Sequence, residues 1–478
     1  MSTLSDRAPD RSSGPAGSEA PTSAGPARRR AAWGLYLGMF AVVLEGGALN
    51  LSLPALATDL RATGSGPEWV LNGYVTPLAS CLLVAGIAGD RMGRRRFLVV
   101  SLLGFAVASG ACALSTGLDA LITFRVVQGL FAAGVTPMVF ALIVGAYREA
   151  GQRGRVVNNV AIAGSLGLVS GPLLGGLMTD LLGWRFVFAC MVPVALVAAL
   201  CAGSLAESRG QSRSVPVDLV GQVLGTSALV LLVGALVEIS ERGAGSSVVQ
   251  VLAVGGIAAA ALFVAHERRA RHPLIPLGLF RHADFATAVV CGYAFQYTAF
   301  GLQFMFALLL QTQWDLSAIK AAAALLPFSV TTILTTTVVN PRLVRRGRTF
   351  MLVSGMAITT LGATVCAFVA GPGSYGVLVV GNVLLGIGTS LYSPSLNQLA
   401  STSAGARAGL ASGVYFTVRQ MGMATAVAAL GALALSRHPV AGCRIGATSA
   451  ALLLLVGLGL VLRTQRRRWF GGSGGRDG

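Results

Sequence analysis

The feature that most constrains this chain is the recurrence, from Trp33 almost to the carboxy terminus, of apolar stretches about as long as a bilayer is thick. A hydrocarbon core of about 30 Å is crossed by roughly 20 apolar residues in a helix. Fourteen such spans can be drawn, at 33–56, 68–88, 97–116, 119–146, 157–180, 185–205, 217–238, 248–266, 285–311, 318–339, 349–370, 374–398, 408–435 and 443–462. The connections are short and leave no room for a separate extramembrane domain. Of the 478 residues, 54% are hydrophobic and 11% charged, against about 25% charged in a soluble chain. The net charge of +18 would otherwise raise nucleic acid as a partner. So sparse a set of charges cannot cover a soluble protein of this size, which argues against a nucleic-acid binder, a disordered basic chain or an ordinary soluble enzyme. The expected fold class is an all-α integral membrane protein, with the lipid bilayer as its first partner.

Basic residues in loops orient such a protein, because cytoplasmic loops are enriched in Lys and Arg. With the amino terminus inside and connections alternating, 28 of the 36 cations fall on the inner side and 5 on the outer. Arg125, Lys320 and Arg419 fall within spans. Both termini are therefore expected in the cytoplasm. Trp69, Trp184 and Trp314 would stand at outer helix ends as interface anchors. Lys320 is the one lysine, an arginine bias that suits a GC-rich bacterial coding style. Seven dispersed cysteines without a CxxC pair suggest neither a disulfide framework nor a metal site, and no metal or cofactor is expected.

The chain also repeats itself. GLFAAGVTP (129–137) and GIGTSLYSP (386–394) share their Gly and Pro spacing at an offset of 257. The basic turn with Gly93 has a degraded counterpart with Gly347, and Gly167 has one in Gly422, at nearly the same offset. Two related six-helix bundles with an inserted helix pair account for this. The expected organisation is a disordered tail at 1–32, a first bundle at 33–206, the inserted seventh and eighth helices with a loop at 207–283, a second bundle at 284–463 and a tail at 464–478.

Motifs narrow the reading. GIAGDRMGRRR (86–96) joins the second and third helices, with Gly86 and Gly93 for close packing and a tight turn, and Asp90 placed to pair with Arg91 or Arg94. Helix four carries RVVQG from Arg125 to Gly129, including Gln128. In helix five, SLGLVSGPLLGG sets Gly167, Gly171 and Gly175 four apart on one face, with Pro172 and Gly176 beside them, a small-residue packing surface with a bend. The first helix reads LEGGALNLSLP, from Leu44 to Pro54. These motifs resemble those of the major facilitator superfamily, and within it the fourteen-helix drug:proton antiporters, over essentially the whole stretch from Trp33 to Leu462. The glycine–proline pattern of helix five resembles the antiporter signature. The resemblance implies a proton-coupled exporter of a drug, antibiotic or secondary metabolite. The first helix departs from the family pattern in having Glu45 where Asp is usual, with Gly after it.

The acids agree with that implication. Of the eighteen, seventeen fall in tails or near helix ends. Glu45 alone is deep, about eleven residues and roughly 16 Å from its helix end. An ionised carboxylate there is costly unless paired or protonated, and Arg125, at comparable depth, is the candidate partner. Glu45 and Arg125 are thus the proton-coupling candidates. Asn50, Tyr74, Gln128, Tyr293, Gln296, Tyr297, Gln303 and Arg419, with Thr335 and Tyr392, are candidates for a substrate cavity, since polar groups inside spans usually face the bundle interior. No phosphate-cradling Gly-x-x-x-x-Gly-Lys occurs and no HExxH or GxSxG context appears, so neither ATP hydrolysis by that route nor enzyme chemistry of those kinds is expected. The partners expected are a small molecule and protons, with the protein a monomer. A proton-coupled importer of the same fold and a non-transporting receptor are the competing readings.

Overall fold

The structure, a computed structural model, describes residues 26–147, 149–209, 218–369, 371–403, 408–434 and 438–471. Every regular element among them is helical. In chain order the long helices are α1 (Pro26–Ala48), α2 (Gly66–Met92), α3 (Arg94–Ala113), α4 (Leu118–Ala146), α5 (Ala150–Leu182), α6 (Met191–Ala202) and α7 (Leu219–Arg242). They continue with α8 (Ser247–Glu267), α9 (Ala283–Thr312), α10 (Ala318–Leu334), α11 (Arg348–Cys366), α12 (Tyr375–Thr402), α13 (Ala408–Ala434) and α14 (Pro439–Gly471). Among the described residues thirteen helical segments are long and apolar enough to cross a membrane. The 27-residue α13 is of comparable length, with Arg419 and Gln420 diluting its apolar character.

Helix ends depart from the expected spans for identifiable reasons. α1 starts at Pro26, inside the segment read as tail, while residues 1–25 lie outside the described residues. The span drawn at 33–56 is not one helix. It passes through a 3₁₀ turn at Leu49–Leu51 and restarts at Leu53–Asp59, with Pro54 in the first turn, where a missing N–H does no harm. The span drawn at 318–339 leaves α10 through a π turn at Thr335–Val339. Trp184 is not a lipid-facing anchor. It is 3% exposed, its Nε1–H donates to Asp59 Oδ2 at 3.0 Å, and its ring meets Phe188 edge-on.

Packing sorts the helices. α1 lies against α5 and α6, α2 against α4, and α3 against α4 and α6. Correspondingly α9 lies against α13 and α14, α10 against α12, and α11 against α12 and α14. The two sets meet through α2 with α13 and α5 with α10, while α7 and α8 pair and α7 leans on α2 and α13. The sequence repeat has a structural counterpart at each matched glycine. Gly93 and Gly347 share positive φ, at 107° and 91°, a conformation open to glycine and poorly to other residues. A Cβ on Gly129 of α4 would strike the Tyr74 carbonyl of α2, and one on Gly386 of α12 the Phe328 carbonyl of α10. Likewise Gly167 on α5 meets the backbone of α1 at Phe40, and Gly422 on α13 that of α9 at Tyr293.

The two faces of the molecule differ. At the face away from Arg94 and the other clustered arginines, Leu49, Leu51, Leu53 and Leu56 join one apolar cluster with Phe304, Phe306 and Leu310 of α9. Asp180, near the end of α5, accepts the Ile319 N–H of α10 at 2.9 Å. At the basic face a smaller cluster holds Leu83 of α2 against Leu274, Ile275, Phe285 and Val414. There the first turns of α5 are exposed, at 153–155 and 157–159, as is the stretch beyond α10 at 344–347.

Candidate functional site

Glycine sets the geometry around Glu45. Residues four apart on α5 share a face, and on that face Gly167, Gly171 and Gly175 lie directly on the α1 backbone. A Cβ on Gly171 would come 3.1 Å from the Leu44 carbonyl, and one on Gly47 3.5 Å from the Pro172 ring. Gly176 turns the other way, onto Ala318 of α10. The helix-five motif therefore seats α1, with Glu45 on it, without intervening side chains, and touches the second bundle as well.

Glu45 is fully buried and forms an ion pair with Arg125, itself 1% exposed. Gly73 and Gly129 bring α2 and α4 close enough for Arg125 Nε to donate to the Val70 carbonyl at 3.0 Å. Its Nη1 donates to Gln128 Oε1 at 2.7 Å, and Gln128 Nε2 donates onward to Ser109 Oγ at 2.8 Å. The guanidinium lies over the Tyr74 ring, 4.5 Å from its centroid, and 5.5 Å from that of Phe188. Tyr74 donates its hydroxyl proton to the Val42 carbonyl at 3.2 Å. Glu45 Oε2 has no hydrogen-bond partner. One oxygen of this carboxylate is thus held by charge-assisted bonding, and the other is buried without a partner.

The second bundle carries a different cluster. Arg419 on α13 donates from Nε to Gln296 Oε1 at 3.0 Å and from Nη1 to Asn397 Oδ1 at 3.4 Å. Gln296 donates to Gln420 Oε1 at 3.3 Å and approaches Met423 Sδ at 3.7 Å. Met423 stands 3.4 Å from where a Cβ on Gly46 would be, so the Arg419 and Glu45 clusters adjoin across the bundle interface. Tyr293 and Tyr297 stack at 6.2 Å and bond Thr425 and Ser449 at 2.6 and 3.2 Å. Gln303 is set apart, donating to Asn382 Oδ1 at 2.7 Å inside the second bundle. Asn50 is buried in the turn after α1, Thr335 is buried below α10, and Tyr392 is buried with its ring edge-on to Phe295. The geometry thus joins Tyr74 and Gln128 to Glu45 and Arg125, and Gln296 to Arg419, but not Asn50 or Gln303 to either.

At the basic loop Asp90 Oδ1 accepts from Arg94 Nε at 2.7 Å. Arg94 also reaches the Ala141 carbonyl of α4 at 3.4 Å, and Arg91 lies in the last turn of α2. A Cβ on Gly89 would enter the Met138 side chain, and one on Gly86 would lie 3.8 Å from Pro137. Glu207 completes this corner. Its oxygens accept the Arg95 and Arg96 backbone N–H groups at 3.0 and 3.2 Å, capping the start of α3, where a helix favours negative charge.

Several partners were not legible in the motifs. Ser109, Asn397 and Glu207 are ordinary residues in sequence, selected by three-dimensional proximity. Glu68, read as an acid near a helix end, is 1% exposed, and neither of its carboxylate oxygens has a hydrogen-bond partner. It stands where α2 meets Gly431 of α13.

Among the described residues, two similarly packed sets of long apolar helices, with a buried ion pair inside the first, have the architecture of a membrane carrier. The chain belongs to the Major Facilitator Superfamily, whose profile it matches over residues 35–427. It is 32% identical to the puromycin resistance protein pur8 of Streptomyces alboniger, over 89% of this chain and 85% of that one. It is also 32% identical to the tetracenomycin C resistance and export protein of Streptomyces glaucescens, over 84% and 75%. The same identity holds with the probable actinorhodin transporter of Streptomyces coelicolor, over 91% and 79%. Its fold is similar to the crystal structure of the human organic anion transporter MFSD10, with a TM-score of 0.62 at 17% identity, covering 91% of this chain and 99% of that one. The crystal structure of the POT family transporter PepTSo gives 0.63 at 18%, covering 92% and 98%.

Proposed function

We propose that this protein is a proton-coupled antiporter that exports a drug, antibiotic or secondary metabolite across the bacterial cell membrane by alternating access. The observation that carries the reading is Glu45, wholly buried, paired to Arg125 through one oxygen and unpartnered at the other. A carboxyl so placed holds a proton in one state and the Arg125 charge in another. Its relatives named for resistance and export support the direction of transport. In this reading both termini are cytoplasmic, the basic face is the inner one, and the protein works as a monomer. The first bundle, 33–206, and the second, 284–463, rock about a shared site, and 207–283 is an accessory pair. Glu45 loads a proton from outside. The proton is released inside as substrate enters the space between the bundles, near Tyr74, Gln296, Tyr293, Tyr297 and Arg419. The α1–α5 glycine contact carries the motion of one helix to the other, and Asp90–Arg94 latches the inner corner.

The test is substrate-driven proton movement in vesicles. Glu45→Gln should still bind substrate but lose proton movement by about 100-fold or more, the range ascribed to a positioned acid–base group, and Glu45→Asp should keep a measurable fraction. Normal proton exchange in Glu45→Gln would overturn the assignment. An importer would be revealed by dye accumulating in energised cells instead of leaving them.

A further inference from the structure

We propose that the cavity takes compounds bearing an anionic group, and that Arg419 is the residue that recognises it. The inference rests on reading the space between the bundles as a transport cavity, and it names the substrate class for that space.

Arg419 lies eleven residues into α13, about 16 Å along the helix, near the middle of the bilayer. It is half-buried, unlike Arg125, which is sealed against Glu45. Its two hydrogen-bond acceptors, Gln296 and Asn397, are neutral amides. Among the described residues no carboxylate stands within ion-pair distance of it. Nor does the second bundle hold one that motion could bring. Between residues 283 and 471 the acids are Asp284, at the start of α9, and Asp315, just beyond its end. Glu45, across the interface, is occupied by Arg125.

A guanidinium at this depth costs several kcal/mol if nothing balances it. Phe295 at 4.2 Å and Phe416 at 5.9 Å supply part of the compensation through their ring faces. Phe416 in turn stacks on Phe140 of α4 at 6.1 Å, so a ring of the first bundle backs one of the two rings beside the charge. Of the five N–H groups of a guanidinium, two are used. The rest form a planar fork that suits a carboxylate, an enolate, a phenolate or a phosphate. A planar acidic compound would seat its charge on Arg419 and its rings against the phenylalanines.

Fluorescein, an anion, and rhodamine 6G, a cation of the same ring system, separate this from a charge-blind cavity. Binding is read by fluorescence anisotropy on the purified full chain in detergent. The wild type should prefer fluorescein, and Arg419→Gln should lower the ratio of the two affinities by about tenfold or more, as losing a charged hydrogen bond does. Arg419→Lys should retain most of the ratio. A second measurement needs no variant: phenylglyoxal modification of Arg419, followed by mass spectrometry, should be slowed by fluorescein and not by rhodamine 6G. An unchanged ratio in Arg419→Gln, or protection by both dyes alike, would overturn the proposal. Its failure is distinct from failure of the antiport reading, because binding is measured without a gradient and the proton is followed through Glu45.

Discussion

At the scale of single residues the Glu45–Arg125 pair dominates. Each charge is tolerated in the interior only because the other is there, so losing one partner should cost about 3–5 kcal/mol, the usual loss when a buried pair is broken. Arg125→Gln is expected to lower the thermal midpoint sharply, and Arg125→Gln with Glu45→Gln to recover much of it without recovering proton movement. A double-mutant cycle of unfolding midpoints measures this, and simple additivity would show that the two side chains do not depend on each other. Asp59 provides a second residue-level test, outside the membrane spans. Hydrogen bonds from Arg185 first and Trp184 next hold its carboxyl below the ordinary value of 3.8. A depressed value means that the folded form gains from the charged carboxylate above that value and loses the gain as acid protonates it. The midpoint difference between wild type and Asp59→Asn should therefore be full at neutral pH and shrink as pH falls below 3.8. A difference that grows in acid would contradict the assignment.

At the scale of elements, the decisive feature is a helix laid on another helix by glycines. Gly171→Val would push into the α1 backbone and should cost about 1–3 kcal/mol, as overpacking does, with transport falling together with stability. Gly154→Val, on the same helix where an added Cβ meets nothing within 4 Å, should leave both near wild type. Thermal unfolding and dye efflux of the two variants, side by side, decide it. Equal effects would mean that helix propensity, and not the α1 contact, governs this helix. The stripe was legible because it depends on spacing, which a sequence displays. So was the pairing of Glu45 with Arg125, since helical rise converts residue counts into depth. Glu68 was not legible: its distance from a helix end says nothing of whether α13 covers it. Nor was the restart after Leu51, since periodicity runs smoothly through a 3₁₀ turn.

For the whole molecule, alternating access requires the face closed by Leu49–Leu56 and α9 to open in every cycle. With the native cysteines replaced, Asp180→Cys and Ile319→Cys place thiols where α5 and α10 already touch. Oxidation should stop transport and dithiothreitol should restore it. A bridged protein that transports at the wild-type rate would exclude opening at this seam. The repeat was visible in sequence because glycine positions survive when side chains drift, as Gly93 and Gly347 do in keeping their backbone conformation. The unequal closure of the two faces has left no comparable trace, because it arises from contacts between halves.

Under the antiport reading, that inequality would make the protein a check valve. On one side the shut position buries Leu49, Leu51, Leu53 and Leu56 against the second bundle, and wetting that seam is expensive because apolar area pulled into water costs roughly 25 cal/mol per Å². On the other side a small patch is all that must part. Under that reading, ions pressing back through an idle carrier would meet the stiffer of its two doors on the Leu49–Leu56 side.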